Sequence, residues 1–399
     1  MGTVTKDGPI TKAEKKEEVL NLRPPIYFNK GTVRSKWSFD IDPKILEEMR
    51  AIVLRYKALP NNWRAIEFEK FNLLPFACLG HRKMVKQILF ENRNNSEVNI
   101  NIQDKNCNNA LILAIASGDK DTIEFLANYY KGDPERSINL NHLNNRKISA
   151  LHLAVRKKNI NMVKILLDAG ADPNIKGQYG ESPIFDAVRN SDWEMIDVLL
   201  NYNPNNKADI DFKNNFNETP LIAASIKDNY NDALEELLKN EKIDLIAIDI
   251  NKKTCLMHAC YPTSQQNMRS IVRKLRNLDE KTCCEIVNAE DEKGATVLMY
   301  LAKTGLDKRI KEIICLGGDP RVKDLTKEKK QAFDYVNRNK NNCANLLEIA
   351  CIKFDRIIKI PGFHNRMGYL NKLMEKQHEI IVINPRKALA VEPSFEPSF

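Results

Sequence analysis

The sequence predicts an all-α fold built as a solenoid of helix–turn–helix units, and three observations carry that expectation. A short motif, a turn followed by a helix start that is most often Ser or Thr, recurs at Phe71, Asn109, Ser149, Ser182, Thr219, Thr254, Thr296 and Lys330, in steps of 33 to 42 residues. A period of that size marks stacked repeats, in which each unit contacts only its neighbours and one body can grow to 399 residues. Five residues after the start stand Ala114, Ala154, Ala187, Ala224 and Ala259, small enough to let adjacent first helices approach; Phe76, Leu301 and Tyr335 depart from the rule. A second helix in each unit then carries aliphatics at helical spacing: Val85, Ile88 and Leu89; Ile123 and Leu126; Val163, Leu166 and Leu167; Ile196, Leu199 and Leu200; Leu234, Leu237 and Leu238; Ile310, Ile313 and Ile314.

Along the chain, residues 1–40 read as a flexible segment and residues 41–70 as a helical cap. Residues 42–56 in that cap place Ile45, Leu46, Met49, Ile52, Val53 and Tyr56 on one side, and residues 63–68 begin a second helix. The repeat array spans residues 71–351 in about eight units. The hydroxyls of Ser149, Ser182, Thr219, Thr254 and Thr296 are expected to cap the first helices. Asp104, Asn144, Asp249 and Asp291 stand five residues before a helix start, where turn chemistry favours Asp and Asn. Gly180 and Gly294 stand two before it, and Cys107, Lys147, Asn217 and Lys252 take that glycine's place elsewhere. The surplus over a 33-residue repeat falls in surface loops such as 93–98 and 131–138, where insertions cost little. Residues 261–267 lengthen the helix junction of the sixth unit and predict a groove or kink there. The first, sixth and eighth units are degenerate, as suits capping repeats. Residues 352–384 form a C-terminal cap: an apolar piece, a Pro361-Gly362 turn, a helix, and a strand at 380–383. Residues 385–399, which repeat Glu-Pro-Ser-Phe, form a flexible tail.

Ser149-Ala150-Leu151-His152-Leu153-Ala154, followed by the helix and turn of residues 162–174, and Thr219-Pro220-Leu221-Ile222-Ala223-Ala224 resemble the ankyrin repeat, whose signature is Thr-Pro-Leu-His-x-Ala. The resemblance runs over residues 71–351, about seventy percent of the chain. It implies an ankyrin-repeat solenoid with helical caps, a monomer that binds another protein as adaptor, scaffold or blocker. In that family the imidazole at the position of His152 ties down the neighbouring turn. Partners sit against the hairpin tips and the exposed part of each first helix. The candidate contact residues are accordingly Arg146, Gln178, Tyr179, Asn215 and Phe216 at the tips, and Arg156, Lys157, Arg189, Asn190 and Lys227 on the first helices. Their charges predict an acidic or phosphorylated partner surface whose association weakens with salt. As solvent-facing side chains, Arg156 and Arg189 could both be reversed to Glu at little cost in stability.

Composition narrows the function classes. Sixty-two basic against 53 acidic residues give a net charge of +9, which favours acidic partners. No run of eighteen apolar residues exists, so a membrane-spanning helix is not expected, and the N-terminus lacks the apolar core of a secretory signal, which places the chain in a cytoplasm. Nine cysteines, mostly within apolar helical segments, read as reduced core residues. His258 and Cys260 lie two apart on one helix and so face different directions, which disfavours a catalytic dyad. Cys255, His258 and Cys260 match no zinc-ligand spacing, and no phosphate-binding glycine loop occurs, so neither metal nor cofactor is implied. Trp37, Tyr56 and Trp63 stand near Arg34, Lys36, Arg55 and Arg64, but Tyr56 and Trp63 are read as packing the first unit with the basic residues flanking it, rather than as a nucleic-acid platform.

The Asn, Lys and Ile lean and the polar tail at 388–399 also look like the ankyrin effectors that intracellular bacteria deliver into host cells by type IV secretion. That resemblance implies action in a host cytoplasm. The competing class is an effector enzyme with its catalytic residues in the flanks, 1–70 or 352–399. A viral or eukaryotic adaptor recruiting ubiquitin machinery would need an F-box-like helix set, for which residues 42–71 are too short.

Overall fold

A computed structural model describes residues 82–91, 100–129, 131, 137–336 and 341–383. The expected N-terminal cap, the first helix of the first unit, the loop at 93–98, most of that at 131–138, and the tail at 385–399 lie outside the described residues.

Within them the chain is helical, and one isolated bridge, Gln103 to Asn109, is the sole β pairing. A lone second helix, α1 (Arg82–Glu91), is followed by the pairs α2 (Ala110–Ser117) and α3 (Lys120–Asn128), α4 (Ala150–Arg156) and α5 (Ile160–Ala169), and α6 (Pro183–Arg189) and α7 (Trp193–Asn201). The pairs α8 (Pro220–Ser225) and α9 (Asn231–Lys239), and α10 (Cys255–His258) and α11 (Gln265–Leu275), come next. After α12 (Glu280–Val287) come the pair α13 (Val297–Thr304) and α14 (Asp307–Cys315), then the long α15 (Asn341–Ile358) and α16 (Phe363–Ile383).

First helices stack on first helices from α2 through α4, α6 and α8 to α10, and second helices on second helices from α1 through α3, α5, α7 and α9 to α11. The five slot alanines are fully buried in that first-helix contact, and Leu301 fills the same slot of α13 equally buried. The aliphatic stripe forms the core: Val85, Ile123, Leu126, Val163, Leu166, Ile196, Leu199, Leu234, Leu237, Ile310, Ile313 and Ile314 are all sealed from solvent. Each such side chain contributes about 2 kcal/mol of transfer free energy.

Three of the five expected hydroxyl caps form: Ser149, Thr219 and Thr254 accept from the backbone N–H of His152, Ile222 and Met257, and Asn109 does the same for Ile112. Ser182 and Thr296 do not. There the amides that would reach the hydroxyls, those of Phe185 and Met299, donate instead to the carbonyls of Ser182 and Thr296, a tight 3₁₀ opening that strands both hydroxyls without a partner.

The sixth unit departs further than its junction suggests. Its first helix is the single turn of α10, a 3₁₀ turn at Pro262–Ser264 follows, and an additional helix, α12, is inserted before the next repeat. Pattern reading missed α12 because its sequence, EKTCCEIV, carries too few apolar residues for a periodic signal. Its end is fastened to the α14 end: Asn288 donates to the Gly317 carbonyl at 2.8 Å and accepts from the Asp319 amide at 2.7 Å.

One C-terminal expectation is corrected. α15 runs unbroken through Cys351, and residues 380–383 continue α16 rather than forming a strand. No strand among the described residues offers them a pairing edge, whereas a helix satisfies their backbone groups internally. Arg366 of α16 is buried and donates to the carbonyls of Cys315, Ile358 and Ile360, so one guanidinium closes the ends of α14 and α15 while pairing with Glu280 of α12.

Candidate functional site

The hairpin tips are set by one device repeated along the array. Oδ1 of a turn Asp or Asn accepts from the backbone amides two and four residues on: Asp104 from Asn106 and Asn108, Asn144 from Arg146 and Ile148, Asn214 from Phe216 and Glu218, Asp249 from Asn251 and Lys253, and Asp291 from Lys293 and Ala295, all at 2.7 to 3.0 Å. This is the Asx chemistry that pre-shapes a turn. The next step of the turn requires a positive φ, and the residues predicted to stand in for glycine adopt it: Cys107, Lys147, Asn217 and Lys252 lie at φ 57° to 61°, beside Gly180 at 70° and Gly294 at 73°.

In the repeat headed by Ser182 the turn position is Gly177, and His152 of the preceding repeat takes over the lock. A Cβ on Gly177 would stand 2.6 Å from His152 Nε2 and 2.8 Å from the Lys147 carbonyl oxygen, so glycine is what admits the ring. His152 Nδ1 lies 2.8 Å from the Ser149 hydroxyl and Nε2 lies 3.1 Å from the Glu181 carbonyl, which ties down the turn as the resemblance implied. Burial holds its pKa below the usual histidine value, against the opposing charge of Asp186.

Successive tips are bonded to one another through the backbone, except between the Asn144 and Gly177 turns. The amides of Asn145, Asn215, Ile250, Glu292 and Leu325 donate to the carbonyls of Asn106, Tyr179, Phe216, Asn251 and Lys293 at 2.8 to 3.0 Å. Tyr179 is thereby placed against Phe216, ring centroids 6.2 Å apart and tilted by 40°, with Tyr179 38% exposed and Ile250 of the next tip 39% exposed. Tyr179 itself sits at φ 58°, ψ 18°, a left-handed conformation that an aromatic residue rarely takes.

A family model for ankyrin repeats (three copies) matches residues 73–177 and 184–281, just over half of the chain. The chain belongs to the ankyrin repeat family. The ankyrin repeat domain of Bcl-3, a member of the IkappaB protein family, aligns with a TM-score of 0.51 at 20% identity over 60% of this chain and 97% of that one, a likeness of fold. The NAD-dependent deacetylase sir2B of Dictyostelium discoideum is 24% identical over 298 residues, which cover 67% of this chain and 36% of that protein. A putative ankyrin repeat protein of fowlpox virus is 23% identical over 256 residues, 57% of this chain and 42% of that one. The chain thus spans less than half the length of either curated relative.

On the first ankyrin helices the arrangement differs from the sequence expectation. Arg156 Nε lies 3.0 Å from Asp186, and Arg189 pairs with Glu181; both carboxylates are buried. The two arginines, Arg189 still partly in solvent, are the counter-charges of two acids that could not otherwise be buried. Sequence pattern gives no sign of this: Asp186 meets Arg156 only once the α4 and α6 helices stack, and Glu181 meets Arg189 only once α6 folds back from its turn. Lys157 reaches back to the Ala116 carbonyl at the end of α2, 2.9 Å away, and Asn190 and Lys227 give their carbonyls to Lys158 and Asn267. The candidates therefore separate: Arg156, Lys157, Arg189, Asn190 and Lys227 bond into the stack, Lys157 and Arg189 while remaining exposed, whereas Arg146, Tyr179 and Asn215 are exposed at the tips, with Phe216 and Gln178 half-buried beside them.

The residues weighed for chemistry are likewise occupied structurally. His258 Nε2 lies 2.9 Å from Asp249, completing that turn, while Cys260 donates to Leu256 and Cys255 to Leu245. Burial pushes the Cys255 thiol up to about 12 and that of Cys283 to about 11. Among the described residues no three His, Cys, Asp or Glu side chains are grouped to hold a metal, and no helix is long and apolar enough to cross a membrane.

Proposed function

We propose that this chain is a non-enzymatic recognition module that holds another protein on the hairpin-tip face of the repeats headed by Ser149, Ser182 and Thr219, acting as adaptor, scaffold or blocker. The observation that carries the proposal is the Tyr179–Phe216 pair: two adjacent aromatic rings displayed at bonded tips, one of them in a strained backbone conformation. Exposed aromatics and arginine are the residue types that anchor interfaces, and strain of this kind collects at functional sites. The partner surface is acidic or phosphorylated, to suit the charge of the tips.

Affinity capture from cell lysate tests the proposal, with the intact chain beside Arg146→Glu/Phe216→Ala at low and moderate salt. A protein retained by the first and lost by the second supports the assigned face; equal capture by both, or capture by neither, removes it and shifts attention to the flanks at 1–70 and 352–399. A finer proposal, supported by composition, is that the chain acts in a host-cell cytoplasm after delivery. Removal of Glu392 to Phe399 would then abolish transfer while leaving thermal unfolding unchanged, and normal transfer of the shortened chain would refute it.

A further inference from the structure

We infer that the occupant of the tip face is an acidic protein segment carrying an apolar or aromatic side chain at its centre, laid across the tips and seated on Tyr179 and Phe216. The inference rests on the recognition reading above and adds the chemistry of the partner.

Its basis is what the turn device does to charge. The carboxylates that sequence places at the tips are consumed inward: Asp104, Asp249 and Asp291 each accept two backbone amides, Asp249 also holds His258, Asp291 also holds the Tyr300 hydroxyl, and Glu181 is buried against Arg189. The basic side chains of the same turns point the other way. Lys105, Arg146, Lys147, Lys213, Lys252 and Lys293 are all exposed, and the acids that face solvent across these tips, Glu290 and Glu292, are gathered at the Asp291 turn. A sequence whose acidic and basic residues nearly balance is thus sorted by the fold into acids inside the turns and cations outside them.

The stacked repeats set those cations in a row of tips, bonded from Tyr179 onward, and the apolar break in the row is Tyr179, Phe216 and Ile250. A ligand complementary to the whole row needs acidic groups at both ends and an apolar group between them. Desolvating the rings supplies the anchor, and the charge row supplies steering and register. Gly180 keeps the centre of the row closed: a Cβ there would meet Asn215 Oδ1 at 2.1 Å, so the two tips interlock and the rings are held at a fixed separation. A nucleic acid strand would also meet the cations, but two rings followed by aliphatic Ile250 do not make the run of stacking platforms that successive bases require.

Selection from a random peptide display library against the intact chain tests the inference. The expected enrichment is of sequences with Asp or Glu on both sides of Leu, Phe or Trp, with recovery reduced about tenfold or more by Phe216→Ala and by Lys147→Glu/Lys213→Glu, and unchanged by Lys281→Glu on α12. Enriched sequences that are basic or uncharged yet still lost with Phe216→Ala would overturn the acidic class and leave the face intact. Sequences indifferent to all three variants would overturn the face itself. Absence of enrichment, or preferential binding of a single-stranded oligonucleotide over the selected peptides, would overturn the inference in favour of a folded partner or of nucleic acid.

Discussion

Asp249 shows most clearly how much a tip depends on its turn carboxylate. Its Oδ1 accepts from Asn251 at 2.8 Å and Lys253 at 2.9 Å, its Oδ2 meets His258 Nε2 at 2.9 Å, and the residue is 5% exposed, so solvent cannot replace the lost acceptor. Asp249→Ala leaves two backbone donors and an imidazole without a partner, which at about 1.5 kcal/mol or more for each bond to a charged group amounts to roughly 3 to 5 kcal/mol. Asp249→Asn keeps the Oδ1 acceptor, as Asn144 and Asn214 do in their own turns, and costs about 1 kcal/mol. Urea unfolding followed by circular dichroism reads both. Burial works to raise the Asp249 pKa, but the bonds from His258, Lys253 and Asn251 outweigh it and hold the carboxyl below its usual range. A group depressed in the folded state stabilises above its unfolded pKa, near 4, and that contribution disappears as pH falls through the folded value. The acid limb of the stability curve should therefore flatten in Asp249→Asn. A cost below about 1 kcal/mol for Asp249→Ala, or equal costs for Ala and Asn, would refute the reasoning.

Three further outcomes follow from the same geometry. Tyr179→Gly should leave the unfolding midpoint unchanged or raised, since relief of a left-handed tyrosine, about 1 kcal/mol, offsets the loss of its contact with Phe216, while partner binding weakens; a fall in stability beyond about 1 kcal/mol would assign Tyr179 a structural role. Leu166→Ala, wholly buried, should cost about 2 to 5 kcal/mol by urea unfolding, and Arg156→Glu, which sets a carboxylate against buried Asp186, about 3 kcal/mol; an Arg156 reversal without cost would restore the solvated face that the sequence suggested. His152, whose pKa is lowered by burial, binds a proton in the unfolded chain before it does in the folded one, so stability should drop as pH falls below about 6.5; a titration of unfolding free energy whose slope in that range is the same in His152→Leu would contradict this.

The fold was legible because its signals are local. A slot alanine, a capping residue and a stripe such as Val163, Leu166 and Leu167 each report on a helix within a few residues of sequence. The positive-φ turn step could be read even where lysine or cysteine stands in glycine's place, since spacing alone locates it. What escaped was set by backbone geometry or by distant partners. Ser182 and Thr296 carry the right residue but lose the cap to their own carbonyls, and α12 is held by the α14 end and by Arg366 rather than by its own periodicity. The site divides in the same way: the aromatic tips were picked by position, whereas the ion pair of Arg156 appears only when the neighbouring repeat brings buried Asp186 to it, and that of Arg189 only when its turn folds Glu181 onto α6.

The most direct test of the recognition face is amide hydrogen exchange on the intact chain, alone and with a captured partner. Slowed exchange centred on the tip residues 145–147, 178–180, 215–217 and 250–252, with α5, α7 and α9 unchanged, is the result this account predicts. Protection confined to those second helices, or to residues outside the repeats, would contradict it.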